Sequence, residues 1–253
     1  MRRRNFIRAG AAGAVAVAAS SASMASPIVQ EGAELIEWRT YEMNFGGNQG
    51  LLMSYLNEAL KPALTRKGAT QFVVFKEYGD PNPAMIYVMI SYPDATTYMA
   101  AQDLSGDDAF ASASVEYDEV KAEKPIYTRF SSWLLTAFAG MPQSVAPDAE
   151  SGLFELRIYE GYSEDAVRRK IRMFNDYEIE IFDNTGLKPV FYGDMIAGPH
   201  RPSLMYLLQF EDMEARNENW GKFGADDTWN RIKVLPEFAN SVSNIRRTFL
   251  VPA

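Results

Sequence analysis

Two short segments place the same three polar side chains on alternate residues. Glu37, Arg39 and Tyr41 occur in Glu37-Trp38-Arg39-Thr40-Tyr41-Glu42, and Glu155, Arg157 and Tyr159 recur 118 positions later in Glu155-Leu156-Arg157-Ile158-Tyr159-Glu160. A guanidinium offers a planar fork to a carboxylate, and a phenol donates a hydrogen bond or stacks on an aromatic ligand. If both segments border one cavity, the six residues would surround a polar or aromatic small molecule. The plainer reading is that each Glu–Arg couple neutralises itself on a sheet, since a duplication preserves what the fold requires.

Other residues with chemical capacity have structural explanations. His200, the sole histidine, sits in the turn Gly198-Pro199-His200-Arg201-Pro202, a poor place for a haem ligand. Asp107-Asp108 and Asp226-Asp227 have hard-cation oxygens, yet their place before helical stretches suits N-caps. Trp220, Phe223 and Trp229 read as helix–sheet core, and the methionines as core filling. Arg168, Arg169, Lys170 and Arg172 form a basic run within reach of Glu164, Asp165 and Glu178, which suits a solvated, partly paired helix face. Cysteine is absent, which excludes disulfides, thiolate metal sites and a thiol nucleophile. No G-x-x-x-x-G-K-[ST] occurs and no metal set emerges, so the residues name neither a metal nor a cofactor.

The elements that must position these residues also repeat. Gly68 matches Gly186, Ile86 matches Leu204, Tyr92 matches Phe210 and Asp94 matches Asp212, all in the same register. Alternation predicts strands over 37–43 and 154–160. Leu52, Leu56, Leu60 and Leu64 predict a helix over 49–67 that stops at Gly68, and its counterpart runs over 164–185 to Gly186. Hairpins follow at 72–92 and 188–210, then acid-capped helices, then closing strands at 126–135 and 243–251. The order strand-helix-strand-strand-helix-strand is ferredoxin-like. The expected fold is therefore α+β: two tandem βαββαβ units, residues 34–137 and 153–253, joined by a linker at 138–152.

Each four-stranded sheet has helices on one face, so the bare faces should pack together as a dimeric-type α/β barrel. The apolar alternates Trp38, Leu156 and Ile158 are then expected beneath the helices, and the Glu/Arg/Tyr set toward the second sheet or solvent. One chain can satisfy both sheets, so a monomer is feasible; a homodimer would pair them across chains.

Residues 1–25 read as an address. Arg3-Arg4-Asn5-Phe6-Ile7-Arg8 resembles a twin-arginine export signal, and an Ala/Gly run from Ala9 to about Ala22 precedes the small residues Ser23-Met24-Ala25. That run is short of the ~20 residues needed to span a bilayer, so the mature chain is expected in the periplasm or outside the cell without stable membrane insertion. The net charge is −8 overall, and −12 once the four arginines of that segment are set aside. A body this acidic repels phosphate backbones, so nucleic acid is not an expected partner.

The repeated (E)-L-R-x-Y strand and the D-D-x-W helix start at Trp229 resemble the NIPSNAP family of the dimeric α/β-barrel superfamily, and the resemblance extends over 34–253. Phe110 stands where the family tryptophan is expected in the first unit. The resemblance implies the barrel but no defined reaction. Barrel relatives include haem-degrading and cofactor-free monooxygenases; the former hold their haem through a helical histidine, which is lacking here. The expected function is binding of a small organic ligand between the sheets. The alternatives are a cofactor-poor monooxygenase or isomerase, with arginine stabilising an anion and tyrosine moving a proton, and a non-catalytic interaction protein with a packed barrel.

Overall fold

A computed structural model describes residues 32–253; the export-signal reading of residues 1–25 lies outside them. The first unit contributes β1 (Leu35–Met43), β2 (Gln71–Glu77), β3 (Met85–Tyr92) and β4 (Tyr127–Ala137). The second contributes β5 (Leu153–Glu160), β6 (Lys188–Ala197), β7 (Ser203–Phe210) and β8 (Asn244–Pro252). Their order around a closed, antiparallel barrel is β1-β3-β2-β8-β5-β7-β6-β4. The sheets therefore join through their edges, β4 to β6 over Leu134–Ala137 and β2 to β8 over Phe75–Glu77, which closes the barrel. Two ferredoxin-like sheets thus form one α/β barrel within a single chain.

A long helix follows the first strand of each unit. In the first unit it comprises Gln49–Ser54, a π-helical stretch Tyr55–Leu60, and Lys61–Arg66. In the second it comprises Glu164–Met173, the π-helical stretch Phe174–Glu178, and Ile179–Thr185. The acid-capped starts are as expected. Asp94, Asp107, Asp212 and Asp226 each accept from a backbone N–H three residues on, which accounts for both Asp pairs without a cation. Residues 138–152 are irregular but pinned, with Glu34 accepting from the backbone N–H and hydroxyl of Ser144, and Gln209 accepting from Asp148 N.

The two strand faces are the reverse of the expectation. Ile36, Trp38, Phe75, Met89, Phe154, Leu156, Ile158, Phe191 and Leu207 form one cluster that draws on both units. Trp38 meets Phe191, and Phe75 meets Phe154, so this cluster fills the barrel interior. The space between the sheets is occupied by packed apolar side chains. Glu37, Arg39, Tyr41, Glu155, Arg157 and Tyr159 point outward, beneath the helices, and do not line the inter-sheet space. The physical reason is that a closed barrel buries both strand faces. The large apolar alternates are needed in the interior, and charged groups at the helix–sheet layer can pair with helix residues and reach water at its rim.

Candidate functional site

The six sequence candidates form two separate centres, one per unit. In the first, Arg39 grips Glu37 through Nε and Nη2 at 2.7 and 2.9 Å. The Glu37 carboxylate also accepts from Ser132 Oγ at 2.9 Å and from the Tyr92 hydroxyl at 3.4 Å. Tyr41 packs on Phe130 and Tyr127, among Leu52, Leu56 and Leu60 of the long helix. This centre holds one carboxylate and one guanidinium, and Arg39 is the only ion-pair partner of Glu37 among the described residues.

The second centre is built differently. Glu155 is fully buried and shared by two arginines. Arg157 Nε donates at 2.7 Å, Arg216 donates through Nε and Nη2 at 2.8 and 3.0 Å, and Trp220 Nε1 donates at 2.8 Å. The Arg157 guanidinium lies 4.0 Å from the centre of the Trp220 ring. Arg216 and Trp220 come from the Met213–Ala225 helix, which Asp212 caps. Burial pushes the Glu155 carboxyl up, but the hydrogen bonds and charges of Arg216 and Arg157 outweigh it and hold the group below the usual carboxylate range.

From there a hydrogen-bonded chain enters the core. Arg157 Nη1 donates to the Tyr159 hydroxyl at 3.1 Å, and the buried Tyr206 hydroxyl donates to the same oxygen at 2.8 Å. Beyond Tyr159, Lys170 and Glu178 make a buried ion pair, with the ammonium 4.9 Å from the Phe174 ring and 5.4 Å from Trp229. Burial raises the Glu178 carboxyl, and the Lys170 charge offsets this only in part. The Tyr192 hydroxyl is buried nearby without a hydrogen-bond partner among the described residues.

The duplication supplies an internal control. At the 118-residue spacing, Leu52 corresponds to Lys170, Leu60 to Glu178, Val74 to Tyr192 and Val88 to Tyr206. Tyr98 corresponds to Arg216 and Gln102 to Trp220. Leu52, Leu60 and Val88 are buried, as are Lys170, Glu178 and Tyr206, so the fold accepts apolar side chains at those places. The polar residues of the second unit are additions to the fold, not requirements of it.

The remaining candidates fall into place. Lys170 departs from the solvated face expected of the basic run, whereas Arg169 pairs with Asp165 and Arg172 with Glu237. His200 stays in its turn, 3.7 Å from Glu160. Phe223 is core; Trp220 is core and also a hydrogen-bond donor to Glu155. Among the described residues no group of three His, Cys, Asp or Glu side chains could hold a metal ion, and no helix is long and apolar enough to cross a membrane.

The NIPSNAP family model matches residues 154–253, which is the second unit. No curated protein matches the chain. A protein from Fusobacterium nucleatum, provisionally described as a monooxygenase, is 8% identical and superposes with a TM-score of 0.55 over 88% of this chain and 94% of its own. A second with the same provisional description, from Lactobacillus acidophilus, is 10% identical with a TM-score of 0.56 over 87% of this chain and 93% of its own. A NIPSNAP family protein of unknown function from Agrobacterium tumefaciens is 19% identical over 43% of this chain and 95% of its own, with a TM-score of 0.37. The first two likenesses show the barrel fold.

Proposed function

We propose that this protein binds a small organic anion at the helix–sheet layer of its second unit. One observation carries the reading: Glu155 is the single carboxylate between the guanidiniums of Arg157 and Arg216, which leaves an uncompensated positive charge under Trp220. The excess grows toward the surface. Arg247 lies directly across from Arg157 on β8, and Arg216 and Arg247 both flank the Phe249 ring, at 5.4 and 5.1 Å. Three guanidiniums around one carboxylate, with two aromatic faces, suit a ligand that carries a carboxylate on a flat apolar body. The first unit lacks this excess, because Tyr98 stands where Arg216 would be.

The test is calorimetric titration of the full chain with benzoate-type acids and their neutral amides. The acids should bind and the amides should not, and Arg216→Gln or Arg247→Gln should weaken the acids about tenfold or more, roughly 1.4 kcal/mol. Equal binding of acid and amide refutes the reading.

A second reading, turnover of the bound anion, rests on Tyr159. Its oxygen accepts from both Arg157 and Tyr206, which leaves its own O–H as a donor to a bound ligand. Deuterium incorporation beside the ligand carbonyl, lost in Tyr159→Phe, is the expected signature; no incorporation in the native protein removes this reading.

The twin-arginine-like start supports export to the periplasm or beyond, which cell fractionation with an Arg3→Lys, Arg4→Lys control checks. Closure of the barrel inside one chain supports a monomer, and light scattering showing an obligate dimer would count against it.

A further inference from the structure

The first unit carries a cleft that plays no part in the arginine centre. It lies between the loop joining β1 to the long helix and the hairpin joining β2 to β3, and its volume is about 420 Å³. We infer that this cleft takes a small zwitterion, with a separated ammonium and carboxylate, of amino-acid to dipeptide size.

Its walls are held in place. Asn44 donates through Nδ2 to Pro125 O at 2.9 Å and accepts from Thr128 Oγ1 at 2.8 Å. Gly47 lies so close to the chain that a Cβ there would sit 2.3 Å from Ile126 O, so only glycine fits. On this fixed loop Phe45 is 82% exposed, an aromatic ring held at the rim with nothing covering it. Across the cleft, Gly79 and Asp80 both take positive φ, 89° and 47°, which turns the hairpin sharply beside β2.

The charges select the ligand. Lys76, Glu77 and Asp80 all line the cleft, and none of them makes an ion pair among the described residues. A ligand with one charge would satisfy one sign and oppose the other. A zwitterion meets both, with its carboxylate at Lys76 and its ammonium at Asp80 of the hairpin. Met43, Met85 and Phe45 give its apolar part a surface, and the volume falls within the ~300–1,000 Å³ typical of small-ligand sites. In the second unit the connection at the same corner is shorter. Only Gly161 and Tyr162 separate β5 from the Ser163 cap, against Asn44 to Gly47 between β1 and the Asn48 cap. The longer loop that walls the cleft is thus a feature of one unit, not a requirement of the fold.

The test is titration of the full chain with glycyl-phenylalanine, its N-acetyl form and its C-terminal amide. The free dipeptide should bind, and blocking either end should weaken it about tenfold. In Lys76→Met the acid and the amide should bind alike; in Asp80→Asn the free and acetylated amines should bind alike. The same contrasts should persist in an Arg216→Gln background, where binding of the acids at the arginine centre is weakened, which separates this cleft from that centre. Unfolding midpoints of the Lys76 and Asp80 variants, whose changed side chains are half-buried and exposed, should match the native chain and so exclude misfolding as the cause. The inference is overturned if the dipeptide fails to bind at millimolar concentration, if the blocked forms bind as well as the free one, or if a neutral disaccharide displaces it.

Discussion

Replacing Lys170 and Glu178 together by leucine should leave the protein at least as stable as it is now, although each single change destabilises it. The pair is buried in the second unit where Leu52 and Leu60 occupy the first, so the double variant copies a solution the fold already contains. Lys170→Leu leaves a carboxylate in the core with no cation, at a cost of about 3–5 kcal/mol. That cost depends on pH. The Glu178 carboxyl is raised by burial, and losing the ammonium raises it further. A raised carboxyl contributes stability below its unfolded pKa and loses it as pH rises toward the folded value, so the penalty of Lys170→Leu should be small in acid and grow by up to about 1.4 kcal/mol per pH unit. Glu178→Leu leaves the ammonium facing Phe174 and Trp229, whose ring faces offset roughly 1–2 kcal/mol. It should therefore cost less than its partner near neutral pH. With both groups gone, the result should range from neutral to about 1–4 kcal/mol more stable, and each kcal/mol should raise the midpoint by about 2–4 °C in a chain of this size. Urea denaturation of the native, single and double variants at two pH values supplies the cycle. A double variant no more stable than its worse single variant would falsify the reasoning.

Three further expectations can be checked by denaturation. Arg39→Ala should cost more than Arg157→Ala, about 3–5 against about 2 kcal/mol, because Glu155 keeps Arg216 while Glu37 keeps no cation; the reverse order would refute the two-centre description. Trp38→Ala should cost about 3–5 kcal/mol, since its ring touches Phe75, Tyr87 and Phe191 across both units; a loss below about 1 kcal/mol would mean that the interior is not packed. The stability gap between the native protein and Glu155→Gln should narrow as pH falls below about 4.3, because a carboxyl held low in the folded state gives stability above its unfolded pKa and loses it in acid; a constant gap removes that assignment.

The fold was legible because its signals are periodic and were seen twice. Met85–Tyr92 and Ser203–Phe210 are the second strands of the hairpins expected over 72–92 and 188–210, and Gly186 ends its helix in a left-handed conformation, as a C-terminal glycine should. What alternation does not carry is which face points inward. Trp38 and Arg39 are neighbours on one strand, and both are nearly inaccessible to solvent, at 1% and 11% exposure. A charged residue normally marks the wet face of a sheet, but here its partners arrive from a helix some sixty residues away, as Arg216 and Trp220 do for Glu155. Those partners carry no local signature. Sequence reading passed over Tyr206 and Arg216 and set Lys170 and Glu178 on a solvated face, yet all four had a signal: each breaks the repeat at a position where the other unit is apolar or aromatic.

That observation turns the duplication from evidence of fold into evidence of site. A barrel made of two similar units needs the same packing from each, so a difference that keeps burial while adding charge gains nothing for the architecture. A buried ion pair is on average no more stabilising than the hydrocarbon that could replace it, and the first unit contains that replacement. Two polar additions of the second unit, Arg216 at the rim and Tyr206 in the core, are joined by a continuous chain through the repeated residues Glu155, Arg157 and Tyr159. The first unit departs in the opposite way. Its helix–sheet layer is neutral and filled, and its open feature is the cleft at the other end of its long helix from Gly68, where the connection to β1 is longer. Each unit thus keeps the strands that close the barrel and diverges where the barrel does not depend on it, and those two places are where ligands should be sought first.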